Sequence, residues 1–203
     1  MDGIKVPDGY QLKMGGEAEE MAKAFDSLKF ALIMSVFLVY MVMAVQFEAL
    51  THPFVIMFSI PAIFIGIMLG LAITGRTLNV ATYIGIIMLV GIVVNNAIVL
   101  VDYINILRRR GYTRKEAILI AGPNRLRPIL MTTLTTVLAL IPLTLGFGSG
   151  AELQAPFATV IVFGLSFSTV VTLVLVPVVY TYMDDLERLI RQKFMKTVPT
   201  IDN

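Results

Sequence analysis

The side chains of this chain that could take part in chemistry are concentrated in one stretch near its middle. An apolar segment there carries Asn95, Asn96 and Asp102, and after a basic loop a second apolar segment carries Arg125 and Thr132. Polar or charged groups inside a segment of membrane length cost roughly 3 kcal/mol each, so they are usually retained for a function. We take these residues as the candidate site.

Helical spacing assigns the candidate residues to two faces. Asn95 and Asp102 are seven positions apart, nearly two turns, and lie on about the same side of their helix. Arg125 and Thr132 repeat that spacing on the next helix. Adjacent antiparallel helices joined by a short loop could bring the amides and acid of one against the guanidinium and hydroxyls of the other. Such a wall of polar groups could relay protons where water is scarce.

Each candidate also has a purely structural interpretation. The two asparagines could hydrogen-bond between helices and contribute only about 1 kcal/mol. Asp102 could pair with Arg125 or Arg127 near the membrane interface, and we favour that interpretation over proton carriage. An arginine close to a helix start can extend to the lipid headgroups, and a threonine can bond the carbonyl four residues before it.

Composition places the chain among integral membrane proteins. Hydrophobic residues make up 57% of it, charged residues 15%, and the mean hydropathy is +0.84. The absence of cysteine and the single histidine argue against a disulfide framework or a metal site. The sequence has no phosphate-binding loop, Ser-His-Asp set or cofactor fingerprint, so we expect no enzyme, no cofactor and no nucleic-acid partner, with energy taken from an ion gradient.

The hydropathy pattern predicts an all-α bundle of five transmembrane helices, since about 20 apolar residues suffice to cross a bilayer. Short connections leave no room for a folded domain between the spans. The one longer connection could hold a short interfacial helix, TRKEAILIA, opened by a capping box of Thr113 and Glu116. The predicted spans are Phe30–Gln46, Pro53–Ile73, Val80–Leu107, Pro128–Phe147 and Phe157–Met183.

Basic residues predict the orientation of this bundle. Arginines and lysines cluster between the third and fourth spans and again after the fifth, so both regions are expected in the cytoplasm. The N-terminus then lies outside and the C-terminus inside. We divide the chain into an external segment (1–29), a transmembrane bundle (30–183) and a cytoplasmic tail (184–203).

Several features of the spans indicate packing. Gly66 and Gly70 form a GxxxG pair that allows close helix approach. Pro61, Pro142 and Pro177 should kink their spans or free backbone carbonyls. The twelve methionines could form a metal relay, but their scatter favours adaptable packing. Arg108–Arg110 are interpreted as topology determinants.

The odd number of spans and the polar start suggest a piece of something longer, and a family resemblance agrees. Six stretches carry this resemblance: PDGYQLKMGGEAEEM, QFEALTHPFVIMFSIP, GIVVNNAIVLVDYIN, the RRRG turn, RLRPILMTT and LVLVPVVY. Together they resemble the C-terminal transmembrane half of a resistance-nodulation-division (RND) efflux permease, in its hydrophobe/amphiphile, acriflavine-resistance-like branch. The resemblance implies that the five helices are spans eight to twelve of twelve. The first seven spans and both porter regions would be missing.

The resemblance also implies roles for the candidate residues. Arg125 and Thr132 match the family's arginine and threonine in RLRPILMT, and Asn96 matches a family asparagine. Asn95 stands where the best-studied drug-efflux members place a lysine, so it cannot pair ionically with a carboxylate. The titrating carboxylate pair of the family lies on a span that this chain lacks. Proton coupling would then rest on Arg125 and on hydrogen bonds.

As a function, the resemblance implies proton-driven export of hydrophobic or amphiphilic compounds such as drugs and detergents across the inner membrane. Expected partners are the missing N-terminal half, further copies in a homotrimer, the lipid bilayer, and a periplasmic adaptor with an outer-membrane channel. Two alternatives stay open: a truncated noncatalytic membrane module, and a member of the heavy-metal efflux branch.

Overall fold

The structure is a computed structural model, and it describes residues 16–47, 51–148 and 150–195. These residues form helices and contain no strand, which confirms the predicted all-α bundle. Five parts of the helices are long and apolar enough to cross a membrane, as the sequence predicted. The helices are α1 (Glu17–Phe47), α2 (Thr51–Met57), α3 (Ser59–Thr74), α4 (Val80–Arg109), α5 (Arg114–Thr144) and α6 (Ala151–Met195).

The second span consists of two helices, α2 and α3, separated by the single residue Phe58. Pro61 accounts for this break, since its ring nitrogen cannot donate to the carbonyl of Met57 four residues earlier. The Ser59 hydroxyl donates instead to the carbonyl of Ile56 at 2.7 Å. The interruption at this proline agrees with the kink predicted from the sequence.

Helix α1 begins at Glu17, well before the predicted start of the first span. Its first turns therefore belong to the segment that we assigned to the exterior, while residues 1–15 lie outside the described part. Helix α6 likewise extends past Met183 to Met195, and residues 196–203 of the expected tail are outside the description. The division into external segment, bundle and tail stays a prediction.

The predicted separate interfacial helix is wrong. Residues 114–144 form one continuous helix, α5, that runs through Pro123 and Pro128. The capping box is confirmed, since the Thr113 side chain accepts from the Glu116 amide and the Glu116 carboxylate accepts from the Thr113 amide at 3.0 Å. A proline removes only its own donor, and membrane helices tolerate that loss. The connection before α5 is therefore only four residues, 110–113.

Glycines bring α3 and α6 into close contact, as the GxxxG pair predicted. A Cβ at Gly66 would lie 2.8 Å from the Cβ of Phe167, and one at Gly70 would lie 2.5 Å from the Cβ of Phe163. Where α6 meets α4, a Cβ at Gly164 would collide with the side chain of Leu89 of α4. The centre of the bundle is therefore the packing of α6 against α3 and α4.

The outer helices are much less covered. Only 6% of the most apolar window of α1 and 11% of that of α5 are buried, against 50% for each of the other three spans. Large apolar side chains such as Phe37, Val45, Met131 and Leu138 are exposed on them. In a membrane these faces must meet lipid or further protein.

Candidate functional site

Asn95 and Asp102 share one side of α4, as their spacing predicted, but that side is next to α1 and not α5. Asn95 is exposed and lines a hollow of about 240 Å³ whose other walls include Val42 and Met43 of α1. Asp102 is also exposed and borders a larger cavity of about 500 Å³. Both candidates are therefore accessible side chains at the border between α4 and α1. The walls of the larger cavity are Gln46, Phe47, His52, Asp102, Asn105, Ile106, Arg108 and Arg109.

Arg125 extends from α5 to a different side of α4. Its guanidinium carbon lies 4.5 Å from the centroid of the Tyr103 ring, a cation–π contact. The adjacent Asn124 donates its side-chain amide to the Tyr103 hydroxyl at 3.5 Å. The Nε atom of Arg125 is buried and has no hydrogen-bond partner among the described residues.

The expected meeting of the two polar faces is not observed. Arg125 contacts Tyr103, which is one position after Asp102 and therefore about 100° further round α4. Within the described helices, no ion pair joins Asp102 to Arg125 or Arg127, so the favoured pairing of Asp102 is wrong. The seven-residue rule orders residues on one helix, but it cannot define how two helices are rotated against each other.

Thr132 and the asparagines make few polar contacts. The Thr132 hydroxyl donates to the carbonyl of Ile129, three residues earlier in its own helix, at 2.9 Å; this is a local bond, although the expected carbonyl was the one four residues before. Neither Asn95, exposed, nor Asn96, half-buried, hydrogen-bonds to another helix through its side chain within the described residues. The interhelical role considered for the asparagines is therefore not observed in this part of the chain.

A buried hydroxyl pair joins α5 to α6 and was not identified from the sequence. The hydroxyls of Thr133 and Thr169 lie 3.1 Å apart, and both residues are buried. Attention to Thr132 missed its neighbour Thr133, although the run SFSTVVT of α6 offered a matching set of hydroxyls. This pair is the polar contact that α5 makes at the level of the candidate threonine.

The end of the bundle that carries Arg108 and Arg114, here called the basic end, is held by ion pairs. Arg108 donates to the Asp184 carboxylate at 2.7 Å, and Arg114 lies 3.2 Å from the same carboxylate and also pairs with Asp185. Asp184 is only 12% exposed, so this pairing is largely shielded from solvent. Arg108, which we interpreted as a topology determinant, therefore also joins α4 to α6.

Tyr180 extends this cluster into the bundle. Its hydroxyl accepts from Arg108 at 3.1 Å and donates to the side-chain oxygen of Asn105 at 2.7 Å. The ring of His52, at the start of α2, stacks on the Tyr180 ring with 5.7 Å between centroids. The basic end thus joins α2, α4, α5 and α6 through α6 side chains.

The opposite end of the bundle is joined by one arginine. Arg76, between α3 and α4, donates to the carbonyl of Ala155 at 2.8 Å and to the carbonyl of Thr144 at 2.7 Å, and it bonds the Thr159 hydroxyl. Because Thr144 ends α5, its carbonyl lacks a partner within the helix, and Arg76 supplies one.

No site for a metal ion is evident in the described part of the chain. No group of three or more His, Cys, Asp or Glu side chains is placed there so that it could hold a metal ion. The acidic groups near the basic end are instead paired with arginine.

Comparison with known proteins relates the chain to membrane transporters. The model of a family described as the AcrB/AcrD/AcrF family matches residues 1–184. The swarming motility protein SwrC of Bacillus subtilis is 40% identical over 181 residues, which are 89% of this chain and 17% of SwrC. The multidrug resistance protein MdtC of Erwinia tasmaniensis is 38% identical over 186 residues, 91% of this chain and 18% of MdtC.

Solved structures give the same relationship. The crystal structure of a heavy metal efflux pump, in its crystal form II, superposes with a TM-score of 0.75 at 34% identity. The match covers 84% of this chain and 17% of that pump. The chain therefore spans less than a fifth of the length of these relatives.

Proposed function

The chain belongs to the AcrB/AcrD/AcrF family of RND permeases, and on that premise we propose that it forms the C-terminal membrane part of a proton-driven efflux transporter. Its five spans correspond in this proposal to spans eight to twelve of a longer permease. The rest of the protein supplies the other spans and the porter regions. The N-terminus of the chain faces outward and its basic end lies at the cytoplasmic surface of the cell membrane.

The single observation that supports proton coupling is that the Arg125 guanidinium has no acidic partner in the described residues. A guanidinium has five N–H donors and no acceptor, and it is effectively always charged. Its Nε is buried without an acceptor in the described residues, and no described carboxylate lies within ion-pair distance of it. Because the residue as a whole is only half-buried, a group outside the described helices can still approach its side chain, and the cost of an unpaired charged donor in a membrane supports such a partner.

A carboxylate on the remaining polypeptide is the natural partner for that guanidinium. When ionised, it accepts charge-assisted hydrogen bonds from Arg125; when protonated, it loses most of that attraction. Uptake and release of a proton would therefore change the force between α5 and the helix that carries the acid. Thr132 and Asn95, on outward faces of α5 and α4, are placed in this proposal to add hydrogen bonds to the same network.

We assign hydrophobic or amphiphilic compounds as the cargo, and the relatives support this class. MdtC is by name a multidrug resistance protein. Assembly as a homotrimer, with a periplasmic adaptor and an outer-membrane channel, belongs to the same proposal. Selectivity would reside mainly in parts of the permease outside this chain.

The test is Arg125→Ala in the full-length permease, with Arg127→Ala as the matched control because Arg127 is exposed and forms no ion pair in the described residues. Each protein is reconstituted in vesicles with an imposed pH gradient, and dye export and proton flux are measured together. We expect both to be lost in Arg125→Ala and kept in Arg127→Ala. Export by a normally inserted Arg125→Ala protein would overturn the proposal.

Heavy-metal export is the second candidate function, since the superposed structure is that of a heavy metal efflux pump. The two candidate functions are distinguished by measuring which cargo the same vesicles export. Export of copper, silver or zinc ions without export of dyes would favour it. A noncatalytic module would export neither, even when expressed with its complete reading frame.

A further inference from the structure

We infer that Tyr103 is the positioning residue of Arg125: its ring holds the guanidinium in place by a cation–π contact and leaves N–H groups for a carboxylate. This inference rests on the proposed function, since it explains how Arg125 is kept ready for its acidic partner. Tyr103 was not among the residues that the sequence singled out.

The contact between these two residues is close. At 4.5 Å from the ring centroid, the guanidinium carbon is well within the distance of about 6 Å over which the ring face attracts a cation. The ring attracts the cation through its π face and supplies no oxygen or nitrogen acceptor there. The terminal N–H groups of the guanidinium therefore still need an acceptor from elsewhere.

Helix geometry directs Arg125 to this ring. Side chains of an α-helix point toward its N-terminus, so Arg125 extends back along α5 toward the basic end. Tyr103 lies near that end of the antiparallel α4. Asn124, the residue before Arg125, donates a hydrogen bond to the Tyr103 hydroxyl. The ring thus receives contacts from two consecutive residues of α5.

The other charged groups near this part of α5 do not compete for Arg125. Asp184 and Asp185 of α6 are engaged with Arg108 and Arg114, and Asp102 of α4 forms no ion pair in the described part. An arginine side chain has several rotatable bonds, so without the ring Arg125 could turn toward the lipid headgroup region. Loss of the ring should therefore displace the charge from the coupling network.

The experiment replaces Tyr103 in the full-length permease by phenylalanine and by phenylalanines with increasing ring fluorination. These side chains keep the ring's shape and progressively weaken its attraction for a cation, so folding is little affected. Tyr103→Leu removes the ring, and Tyr112→Leu is the control because Tyr112 is 46% exposed in the basic loop. Transport rate is measured against pH for each, together with Arg125→Ala.

We expect Tyr103→Phe to transport at nearly the normal rate, with stepwise loss along the fluorinated series and about a tenfold loss in Tyr103→Leu, as for an interaction of about 1.4 kcal/mol. The pH profile should shift in the variants that weaken the contact and stay unchanged in Tyr112→Leu. Equal rates and pH profiles across the fluorinated series would overturn the role of Tyr103. Retained transport in Arg125→Ala would instead overturn the proposed function itself.

Discussion

Arg114, in the first turn of α5, and Asp184 of α6 lie 3.2 Å apart although seventy residues separate them in the chain. The same carboxylate accepts a hydrogen bond from Arg108 at the end of α4. One acidic side chain therefore joins three helices at the basic end. Since it is largely shielded from solvent, its loss removes a charged acceptor from both arginines, of which Arg114 keeps Asp185 and Arg108 keeps the Tyr180 hydroxyl.

Asp184→Asn should lower the free energy of unfolding by on the order of 2 kcal/mol, because hydrogen bonds to charged groups are about twice as strong as neutral ones. The measurement is the thermal unfolding midpoint of the detergent-solubilised permease. Asp26→Asn is the control, since Asp26 pairs with Lys29 on the surface of α1 with its side chain 80% exposed. Equal midpoints for the two variants would contradict a structural role of this cluster.

Arg76→Ala should loosen the opposite end of the bundle. Its guanidinium bonds two backbone carbonyls and a hydroxyl, and the variant leaves the carbonyl of Thr144 at the end of α5 without this donor, which should cost about 1–3 kcal/mol. The carbonyl of Ala155 keeps the Thr159 hydroxyl as a donor at 2.8 Å. We expect faster proteolysis in the connection between α5 and α6, compared with Arg110→Ala at an exposed position of the basic loop. Unchanged cleavage would show that Arg76 does not hold this end.

Gly70→Ala should destabilise the packing of α3 against α6. The new methyl group would lie 2.5 Å from the Cβ of Phe163, and neither atom belongs to the flexible end of a side chain. Overpacking of this kind typically costs about 1–3 kcal/mol. Gly91→Ala is the matched control because nothing lies within 4 Å of its built Cβ. The two variants are compared by urea or detergent titration of the unfolded fraction.

Thr133→Val and Thr169→Val test the buried hydroxyl pair between α5 and α6. Interhelical hydrogen bonds in membrane proteins average about 0.6 kcal/mol, and we expect a coupling of that size in a double-mutant cycle of unfolding free energies. Thr135→Val is the control, since its hydroxyl bonds only the carbonyl of Met131 in its own helix. Additive effects in the cycle would contradict a direct interaction.

The spans and the glycine seam could be predicted because both depend on local sequence. Apolar length alone identifies a membrane helix, and small residues four positions apart define a surface for close approach whatever the partner is. The continuity of α5 was not predicted, because the pattern indicates an interfacial helix and a separate fourth span that begins at Pro128. Each proline affects one hydrogen bond, and the capping box at Thr113 had already fixed where the helix begins.

The sequence could predict which residues belong to the candidate site, but not how they contact one another. Spacing correctly grouped Asn95 with Asp102 on one side of α4, but the rotation of α5 against α4 is decided by packing across the whole bundle. The contact of Arg125 with Tyr103 and the pairing of Arg108 with Asp184 both depend on that rotation.

The glycines that bring α3 and α6 together also have a mechanical consequence. Where backbones touch, small displacements meet steep repulsion, so this pair has low elastic compliance and should move as one solid body. Deformation during a transport cycle would then concentrate in the compliant elements: the break at Phe58, and the sparsely covered α1 and α5. Because Arg125 is on α5, the charge that we assign to coupling is carried by a helix free to shift against a stiff frame.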